Sequence, residues 1–322
     1  MNNVEIIGLG ALNIDHIYRV DHIPDHEETV VNEAKSFPGG SAANTIYALA
    51  KLGMKTGYAG VIGDDEEGKR LLRDFQKVGV DTSQIKIKTG AKTGSIIYII
   101  ERQGKRSICV LPGANSLLTL EDLDLTYLNQ AKWLHLSSFA EKKQFKVLAE
   151  LVDRLGSSTK LSFAPGVLHT AKDIISPILK RTQILFLNQH EMWHLTAQDV
   201  SDGAESCLKQ GCHIIVVTLG GGAELKLGSQ TINAVAYIRD KEKEYFIEPT
   251  GREVIEEDKI GTGDAFAAGF LYGLLKGKGI RQCGSLGDIV ARFSLTRQGA
   301  RAGFPTHPEL SKRYRELYRE EL

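Results

Sequence analysis

The chain of 322 residues lacks the features that mark nucleic-acid-binding, membrane and secreted proteins. The chain has 40 Lys and Arg residues and 40 Asp and Glu residues, so its formal net charge is zero. It therefore lacks the excess of positive charge that is typical of nucleic-acid-binding proteins. No run approaches the roughly 20 apolar residues that span a bilayer. Residues 1–8 have neither the charged region nor the apolar core of a secretory signal. We therefore expect a cytoplasmic protein without a membrane or nucleic-acid partner.

Cysteine is also scarce. The four cysteines are Cys109, Cys207, Cys212 and Cys283, which form no Cys-x-x-Cys pair and no pattern with histidine at zinc-ligand spacing. Reduced thiols of this kind are consistent with a cytosol. The remaining composition, 42% hydrophobic and 25% charged residues, is typical of a globular protein. By length, the chain has room for two domains or for one large α/β domain with an appendage.

Apolar stretches of strand length alternate with helical patterns along most of the chain. Residues 4–9 form the first candidate strand, and residues 133–136, 161–163, 184–187 and 214–217 form later ones. Helical patterns fill the gaps between the later strands. Because this is the βαβ rhythm of a parallel sheet covered on both faces, we predict an α/β fold with a mostly parallel central sheet.

Two further segments have strand patterns but stand apart from this rhythm. Residues 16–37 alternate without a helical face, and residues 93–111 contain two apolar runs joined by a turn around Gln103 and Gly104. We predict that these two segments form a small β-strand lid over a ligand site. The whole of residues 1–322 is then a single domain that carries this lid.

The clearest chemical signal is a glycine turn that runs into an apolar helix at residues 257–270. Gly261 and Gly263 allow the backbone to bend, and the helix start leaves N–H groups unpaired at the positive end of the helix dipole. Such a place holds an anion, phosphate above all. Asp264 lies beside it, and a carboxylate next to a phosphate site is suited to phosphoryl transfer onto a hydroxyl. The alternative is a helix capped by Gly-x-Gly-Asp with nothing bound.

The position of Asp264 at a helix N-terminus also carries an expectation about its protonation. The helix dipole favours a negative charge there, so we expect the pKa of Asp264 to be lowered. A base of low pKa is weak. Phosphoryl transfer tolerates a weak base, because its transition state depends on positioning and charge neutralisation more than on early deprotonation.

Polar or glycine-rich residues follow three predicted strands, where ligands of open α/β sheets bind. Asn13 and Asp15 follow the first strand and can grip neighbouring hydroxyls of a polyol, although a turn capped by Asn and Asp explains them as well. Asn188 and Glu191, three residues apart, share a helix face and can hold hydrated Mg²⁺. Residues 218–222 are a glycine loop suited to a nucleotide phosphate. Each feature alone is more often a helix or turn cap.

A fourth glycine-rich segment precedes a clear helical pattern. Gly39 and Gly40 allow a ligand to approach the backbone closely. Ser41 is the predicted N-cap of the helix, since serine is favoured at that position. Asn44, in the first helical turn, is predicted to point at the same ligand.

Two other glycine motifs are rejected. Residues 63–70 match the frame of a Walker phosphate loop, but four carboxylates fill the loop and Arg70 stands where a magnesium-binding hydroxyl is needed. Gly8 and Gly10 match half of a dinucleotide fingerprint, and the third glycine is missing. A nicotinamide-dependent oxidoreductase is therefore a rival interpretation that the missing glycine counts against.

Taken together, these segments resemble the ribokinase-like (PfkB) family of carbohydrate and nucleoside kinases, essentially from end to end. Residues 38–65, which begin Pro-Gly-Gly-Ser-Ala-Ala-Asn, are similar to the first family signature, and residues 258–266 are similar to the second. Residues 112–115, 188–191 and 218–220 follow in family order. The resemblance implies a three-layer αβα, Rossmann-like fold with a mostly parallel sheet and a β-strand lid, often dimeric through that lid.

The resemblance also implies roles for individual residues. The expected catalytic base is Asp264, with the backbone of Gly261, Thr262 and Gly263 completing the anion hole. The residues expected to hold the acceptor are Asn13, Asp15, Gly39, Gly40 and Asn44. Those expected to hold ATP are Asn188, Thr218, Gly220, Gly222 and, on the adenine side, Asp288. Glu191 and Asn188 are expected to act on Mg²⁺ and phosphate.

The second signature departs from the family pattern at Lys259 and Ile260, where two small hydroxyl or proline-type residues are usual. Ile260 has no hydroxyl, which argues against a monovalent-cation site nearby, and Lys259 is predicted to be solvated. We expect a homodimeric kinase that transfers the γ-phosphoryl group of ATP to a primary hydroxyl of a sugar or nucleoside, with ribose or a nucleoside favoured. The alternatives are a hexose or keto-sugar-acid kinase of the same family and a catalytically silent nucleotide- or sugar-binding protein.

Overall fold

The computed structural model describes residues 4–166, 172–227, 230–251 and 256–322. Within these ranges the strands are β1 (Ile6–Leu9), β2 (Asn13–Val20), β3 (Val31–Gly39), β4 (Thr56–Gly63), β5 (Asp81–Lys88), β6 (Gly94–Glu101), β7 (Arg106–Leu111), β8 (Trp133–Ser137), β9 (Lys160–Ala164), β10 (Thr182–Asn188), β11 (Ile214–Leu227), β12 (Gln230–Asp240) and β13 (Glu244–Ile247). The α-helices are α1 (Ser41–Lys51), α2 (Glu66–Lys77), α3 (Leu125–Leu128), α4 (Lys142–Arg154), α5 (Lys172–Arg181), α6 (Gln189–Thr196), α7 (Val200–Lys209), α8 (Thr262–Leu275), α9 (Ile280–Ser294) and α10 (His307–Tyr318).

Nine of the described strands form one large sheet in the order β13-β12-β11-β10-β9-β8-β1-β4-β5. All neighbours from β11 to β5 run parallel, and β12 and β13 add an antiparallel edge. The first strand lies in the interior of the sheet, where Gly8 pairs with Tyr58 of β4 and with His135 of β8. The prediction of an α/β fold with a mostly parallel central sheet is confirmed.

Successive residues of the buried strands belong to two separate hydrophobic clusters. In β10, Ile184 packs into one cluster and Leu185 into the other. Helices α1, α2, α8, α9 and α10 contribute to the first cluster, and helices α4 to α7 contribute to the second. Because neighbouring strand residues face opposite sides of a sheet, the two clusters mark two helical layers with the sheet between them. This is the predicted three-layer arrangement.

A second, smaller sheet has four strands in the order β3-β2-β6-β7. Its two antiparallel hairpins, β2 with β3 and β6 with β7, join through the parallel pair β2 and β6. The hairpins span residues 13–39 and 94–111, close to the two extended segments expected from the sequence at 16–37 and 93–111. Asn13 and Asp15 were expected at the end of the first strand, but they lie on β2 and therefore belong to the small sheet.

The glycine-rich segment at residues 218–222 is not a separate loop. It lies within β11, and the register against β12 shifts between Thr218 and Ala223. The segment is therefore an irregularity of bulge type in an antiparallel pair, a device that redirects a strand near a site. No helix in the described ranges is both long and apolar enough to cross a membrane.

Candidate active site

Asp264 lies in the first turn of α8, and Gly261 is the N-cap of that helix. Gly261 has a φ of 79°, and a Cβ at this position would lie 2.6 Å from the Cβ of Ala300, so the turn requires glycine. Phe266 and Phe270 follow at helical spacing and are buried. The predicted turn and apolar helix are confirmed, and the packing of the helix fixes where its first turn points.

Two side chains from the start of α1 hold the carboxylate of Asp264. The hydroxyl of Ser41 donates to Oδ1 at 2.7 Å, and the side-chain amide of Asn44 donates to Oδ2 at 2.8 Å. The prediction that Ser41 is the N-cap of α1 is wrong, because Gly40 is the N-cap and makes no side-chain cap hydrogen bond. Ser41 is already the first helical residue, so its hydroxyl turns across to α8. Asn44, expected to hold the acceptor, contacts the expected base.

The pKa of Asp264 is raised to about 6, mainly because burial removes hydration from the carboxylate. The hydrogen bonds from Asn44 and Ser41 lower this pKa, the charge of Glu191 raises it and the charge of Arg301 lowers it. The prediction of a lowered pKa is therefore wrong, since lost hydration outweighs the helix dipole. An aspartate with this pKa is ionised at neutral pH and is a stronger base than an exposed one.

The start of α8 offers fewer free N–H groups than expected. The N–H of Thr262 donates to the carbonyl of Lys259 at 3.4 Å, and the Thr262 hydroxyl donates to the same oxygen at 2.9 Å. Within the described residues, the N–H groups of Gly263 and Asp264 have no protein acceptor. A Cβ on Gly263 would meet nothing within 4 Å. Of the first three N–H groups of α8, those of Gly263 and Asp264 are therefore open to an anion and that of Thr262 is not.

A cavity with a volume of about 260 Å³ lies against this helix start. The site residues that line it are Ser41, Asn188, Glu191, Thr218, Gly263 and Asp264. The end of β10 and the irregular part of β11 meet here because Asn188 and Thr218 are register partners. A larger cleft of about 390 Å³, lined by residues 246–251 and by parts of α9 and α10, does not include Asp264.

Asn188 and Glu191 form a reciprocal cap at the start of α6. Oδ1 of Asn188 accepts from the N–H of Glu191 at 2.8 Å, and Oε2 of Glu191 accepts from the N–H of Asn188 at 2.8 Å. Burial raises the pKa of Glu191. The described residues contain no group of three or more His, Cys, Asp and Glu side chains placed for a metal. The donors fit a Mg²⁺ ion held by one carboxylate, water and substrate phosphates, which is how this ion usually binds.

Asp15 carries a buried carboxylate. The residue is 2% exposed, and its Oδ1 has no hydrogen-bond donor in the described part of the chain. Burial raises the pKa of Asp15 to about 7, despite the nearby positive charge of Arg301. A Cβ on Gly39 would collide with the Asp15 carboxylate, so the backbone must approach it without a side chain. A buried acceptor without a partner indicates a missing donor, such as a ligand hydroxyl.

Asn13 lies beside Asp15 on β2, and its side chain is held by Asn115, for which the sequence predicted no role. Oδ1 of Asn13 accepts from Nδ2 of Asn115 at 2.9 Å. The Asn115 side chain also accepts from the N–H of Leu12 at 2.9 Å and donates to its carbonyl at 3.0 Å. Asn115 therefore fixes the link between β1 and β2 and with it the direction of Asn13.

Arg301 is the second residue that the sequence did not single out. The residue is 6% exposed, and its Nε donates to Oδ1 of Asn44 at 2.9 Å. A sequence signal was available, because Arg301 stands alone among small and apolar residues in Ala-Arg-Ala-Gly-Phe at 300–304. Arginine is almost never fully buried unless it is paired, so such a position indicates a specific partner.

Asp288 and Lys259, for which the sequence made predictions, have their partners away from Asp264. Oδ2 of Asp288 accepts from the N–H of Thr250 at 2.7 Å and from Nε of Arg292 at 2.8 Å, so the carboxylate ties α9 to the segment after β13. Asp288 does not line the cavity beside Asp264, and its adenine-side role stays a prediction. Lys259 pairs with Glu256 at 2.7 Å and its side chain is 69% exposed, which agrees with the expectation of a solvated lysine.

Comparison with known proteins identifies a family for this arrangement. The model of the pfkB family of carbohydrate kinases matches residues 1–307. A protein described as an uncharacterized sugar kinase of Archaeoglobus fulgidus is 34% identical over 259 residues, which cover 80% of this chain and 98% of that protein. Ribokinase of Haemophilus influenzae is 26% identical over 94% of this chain and 95% of its own. Nucleoside kinase of Methanothermobacter thermautotrophicus is 24% identical over 96% of this chain and 95% of its own.

The fold has close counterparts among solved structures. The crystal structure of ribokinase from Thermotoga maritima superposes with a TM-score of 0.82 at 24% identity, and the match covers 97% of this chain and 99% of that one. The prediction of a ribokinase-like three-layer fold with a second, small sheet is thereby confirmed.

Proposed function

The chain belongs to the pfkB family of carbohydrate kinases, which phosphorylate alcohol groups, and we propose that it transfers the γ-phosphoryl group of ATP to a primary hydroxyl of a sugar or nucleoside. Ribose or a nucleoside is the favoured acceptor. One observation carries the proposal: the Asp264 carboxylate is held by Ser41 and Asn44 beside free N–H groups and a cavity of about 260 Å³. A base next to an anion site is what phosphoryl transfer requires.

In the proposed mechanism the acceptor hydroxyl donates a hydrogen bond to Asp264. The acceptor oxygen forms its bond to the γ-phosphorus, the bond from that phosphorus to the β-phosphate oxygen breaks, and the hydroxyl proton passes to Asp264. The N–H groups of Gly263 and Asp264 stabilise the negative charge on the transferring group. Bound Mg²⁺ would neutralise the charge of the ATP phosphates, and Glu191 with Asn188 would hold it.

Asp15 supports an acceptor with neighbouring hydroxyls. Its carboxylate oxygen lacks a donor in the described part of the chain, and it lies next to Asn13 on β2 and against Gly39. Two hydroxyls of a furanose ring would supply hydrogen bonds to Asp15 and so compensate its loss of hydration. Gly39 and Gly40 would approach the same ring through their backbone.

The remaining predicted residues are assigned to ATP. Thr218, Gly220 and Gly222 lie in the irregular part of β11, next to Asn188 at the end of β10. We propose that this segment follows the nucleotide phosphates and that Asp288 acts on the adenine side through Thr250. Gly220 and Gly222 are exposed, which leaves their backbone open to a ligand.

We further propose that residues 1–322 act as a single kinase domain, with the small sheet as its lid, and that two copies pair through the lids. Asp15 lies on this sheet, so movement of the sheet would carry part of the acceptor site. Val31, Ile108 and Leu111 on its two edge strands expose 46%, 48% and 48% of their surface. Apolar side chains on unpaired edges favour association with a second copy.

A coupled assay of ADP release tests the proposal. The protein is screened with ATP and Mg²⁺ against nucleosides, pentoses, hexoses and keto-acid sugars, and we expect release above the no-acceptor rate with ribose or a nucleoside. Turnover with a hexose or keto-sugar acid alone would select the alternative acceptor. Stabilisation by ATP without turnover on any acceptor would indicate a silent binding protein, and stabilisation by NAD without ATP binding would indicate the oxidoreductase.

A further inference from the structure

Arg301 makes three directed contacts from a buried position behind the site. Nε donates to Oδ1 of Asn44 at 2.9 Å, and Nη2 donates to the carbonyl of Gly39 at 2.9 Å. Nη1 forms an ion pair with Oδ2 of Asp74 at 2.8 Å. The guanidinium therefore binds α2 through Asp74, the end of β3 through Gly39 and the start of α1 through Asn44. Each of the three nitrogen atoms of the planar guanidinium donates to a different residue.

Two aromatic rings hold the guanidinium in place. Its central carbon lies 5.2 Å from the ring centroid of Tyr47 and 5.1 Å from that of Phe75. Cation–π contacts of this kind are strongest where water is excluded, and the side chain of Arg301 is 5% exposed. The paired charge and the two rings leave the guanidinium with one orientation.

That orientation decides how Asn44 presents its amide. A guanidinium has only donors, so the atom of Asn44 that faces Arg301 must be its acceptor oxygen. The amide nitrogen is then forced to the opposite side, where it donates to Oδ2 of Asp264 at 2.8 Å. If the amide turned over, two N–H donors would face each other at Arg301 and two oxygens would face each other at Asp264. Both contacts would be repulsive.

We propose that Arg301 is a positioning residue for phosphoryl transfer: by fixing the amide of Asn44, it holds the carboxylate of Asp264 ionised and directed at the acceptor. This inference rests on the proposed role of Asp264 as the base. Arg301 does not line the cavity beside Asp264. It acts through the amide of Asn44 and through its own positive charge.

The electrostatics act in the same direction. The hydrogen bond from Asn44 and the positive charge of Arg301 both lower the pKa of Asp264, against the dominant effect of burial. Loss of the guanidinium removes the charge and frees Asn44 to turn its oxygen toward the carboxylate. Both changes disfavour the ionised base, so a higher pH is needed to deprotonate it.

The test is Arg301→Met, because methionine keeps an apolar stem between Tyr47 and Phe75 but has no donor. We expect kcat to fall by about tenfold to a hundredfold, as for a misplaced catalytic group, with the KM for ATP little changed. The acid limb of kcat should move to higher pH; kcat is measured with saturating acceptor, because Arg301 also lowers the pKa of Asp15 in the proposed acceptor site. If Arg301 only stabilised the fold, its replacement would lower the unfolding temperature without moving this limb.

Phe145→Leu is the matched control, because Phe145 is fully buried in the hydrophobic cluster on the other face of the large sheet. We expect Phe145→Leu to lower the unfolding temperature and to leave the acid limb where it is. A double-mutant cycle with Asn44→Ala separates direct from indirect action. If Arg301 acts through Asn44, Arg301→Met should have little further effect on kcat in that background.

The proposal is overturned if Arg301→Met leaves the acid limb unmoved, or if its loss of kcat is undiminished in the Asn44→Ala background. Should the methionine variant fail to fold, Arg301→Lys takes its place in the same cycle, since lysine keeps a charge but cannot donate to three groups at fixed angles. These outcomes are distinct from failure of the kinase proposal. That proposal is judged by ADP release from the wild-type protein and its loss in Asp264→Asn.

Discussion

Asn44 donates its side-chain amide to the carboxylate of Asp264 at 2.8 Å, although 220 residues separate the two in the chain. Asn44 belongs to the first turn of α1 and Asp264 to the first turn of α8. The two helix starts therefore meet at one carboxylate, and the first turn of α1 contacts the proposed base as well as following the glycines of the proposed acceptor site.

Replacement of Asp264 tests its role as the base. We expect Asp264→Asn to lower kcat by at least about two orders of magnitude, because the amide cannot accept the proton of the acceptor hydroxyl. Coupled ADP release measures the effect, and thermal unfolding checks that the variant is folded. Turnover close to that of the wild type would remove Asp264 from the mechanism.

The raised pKa of Asp264 predicts a pH dependence for the reaction. The base must be ionised, and its pKa is about 6, so kcat should rise with pH and level off above this value. Below it, kcat should fall by about tenfold for each pH unit. Initial rates between pH 4.5 and 8, with both ATP and acceptor saturating, measure this limb, because kcat/KM would also report the ionisation of Asp15 in the proposed acceptor site of the free protein. An acid limb near pH 4 would show that burial does not control the base.

The ionised carboxylate of Asp15 should lower the stability of the folded protein, although the same carboxylate is proposed to bind the acceptor. The pKa of Asp15 is about 7 in the folded protein against 3.8 for an exposed aspartate, so the folded protein holds the proton more tightly. Its contribution to stability is fully present below pH 3.8 and is lost as the pH rises through 7. Asp15→Asn removes the ionised form and should unfold at a higher temperature than the wild type at pH 8.

The same variant should bind the acceptor more weakly. Thermal unfolding at pH 8 and pH 5 measures the first effect, and the gap between variant and wild type should shrink at the lower pH. The acceptor KM from ADP release measures the second. If the variant is less stable than the wild type at pH 8, the ionised Asp15 does not destabilise the folded protein. If its acceptor KM is unchanged, Asp15 does not contact the acceptor.

Glu191 is predicted to control the magnesium dependence. Glu191→Ala removes half of the reciprocal cap on α6 and should cost about 0.5–1.5 kcal/mol of stability, the net contribution of one hydrogen bond. We also expect the Mg²⁺ concentration for half-maximal activity to rise, since a proposed ligand is lost. Asp199→Ala is the matched control, because Asp199 caps α7 through the N–H of Asp202. If both variants respond alike to Mg²⁺, Glu191 acts only as a cap.

Pairing of two copies through the small sheet can be tested at Ile108. Ile108→Lys places a charge on β7, where the isoleucine is 48% exposed, and should convert a dimer into a monomer. Ile87→Lys is the control, because Ile87 is 56% exposed on β5 at the edge of the large sheet. Light scattering during size-exclusion chromatography gives the mass of each. A wild-type monomer, or dissociation by Ile87→Lys alone, would refute pairing through this sheet.

Most of the architecture could be predicted from the sequence, because it depends on local patterns. Apolar strand runs such as residues 184–187, followed by helical patterns, predict buried parallel strands without knowledge of their partners. The edge formed by β12 and β13 was not predicted, and residues 218–222 were expected as a loop. Both depend on how β11 continues into an antiparallel pair, and a run of glycines does not distinguish a loop from a bulge.

Within the site, the sequence identified residue types and missed their partners. Asp15 was expected to bind the acceptor, and the structure adds that its carboxylate is buried without a donor in the described ranges. Ser41 was expected as a cap, since serine is favoured there, yet it donates to Asp264. Arg301 received no role, because its partner Asn44 is 257 residues away in the chain.

The parallel sheet, the glycine turn and the aspartate that follows it at the start of a helix can all be predicted from local sequence patterns. These features depend on periodicity, on the backbone freedom of glycine and on the unpaired N–H groups of any helix start. The raised pKa of Asp264, the hydrogen bond that occupies the N–H of Thr262 and the contact of Arg301 with Asn44 arise from the tertiary fold alone. Lost hydration and directed hydrogen bonds depend on which distant segments meet, and no local pattern contains that information.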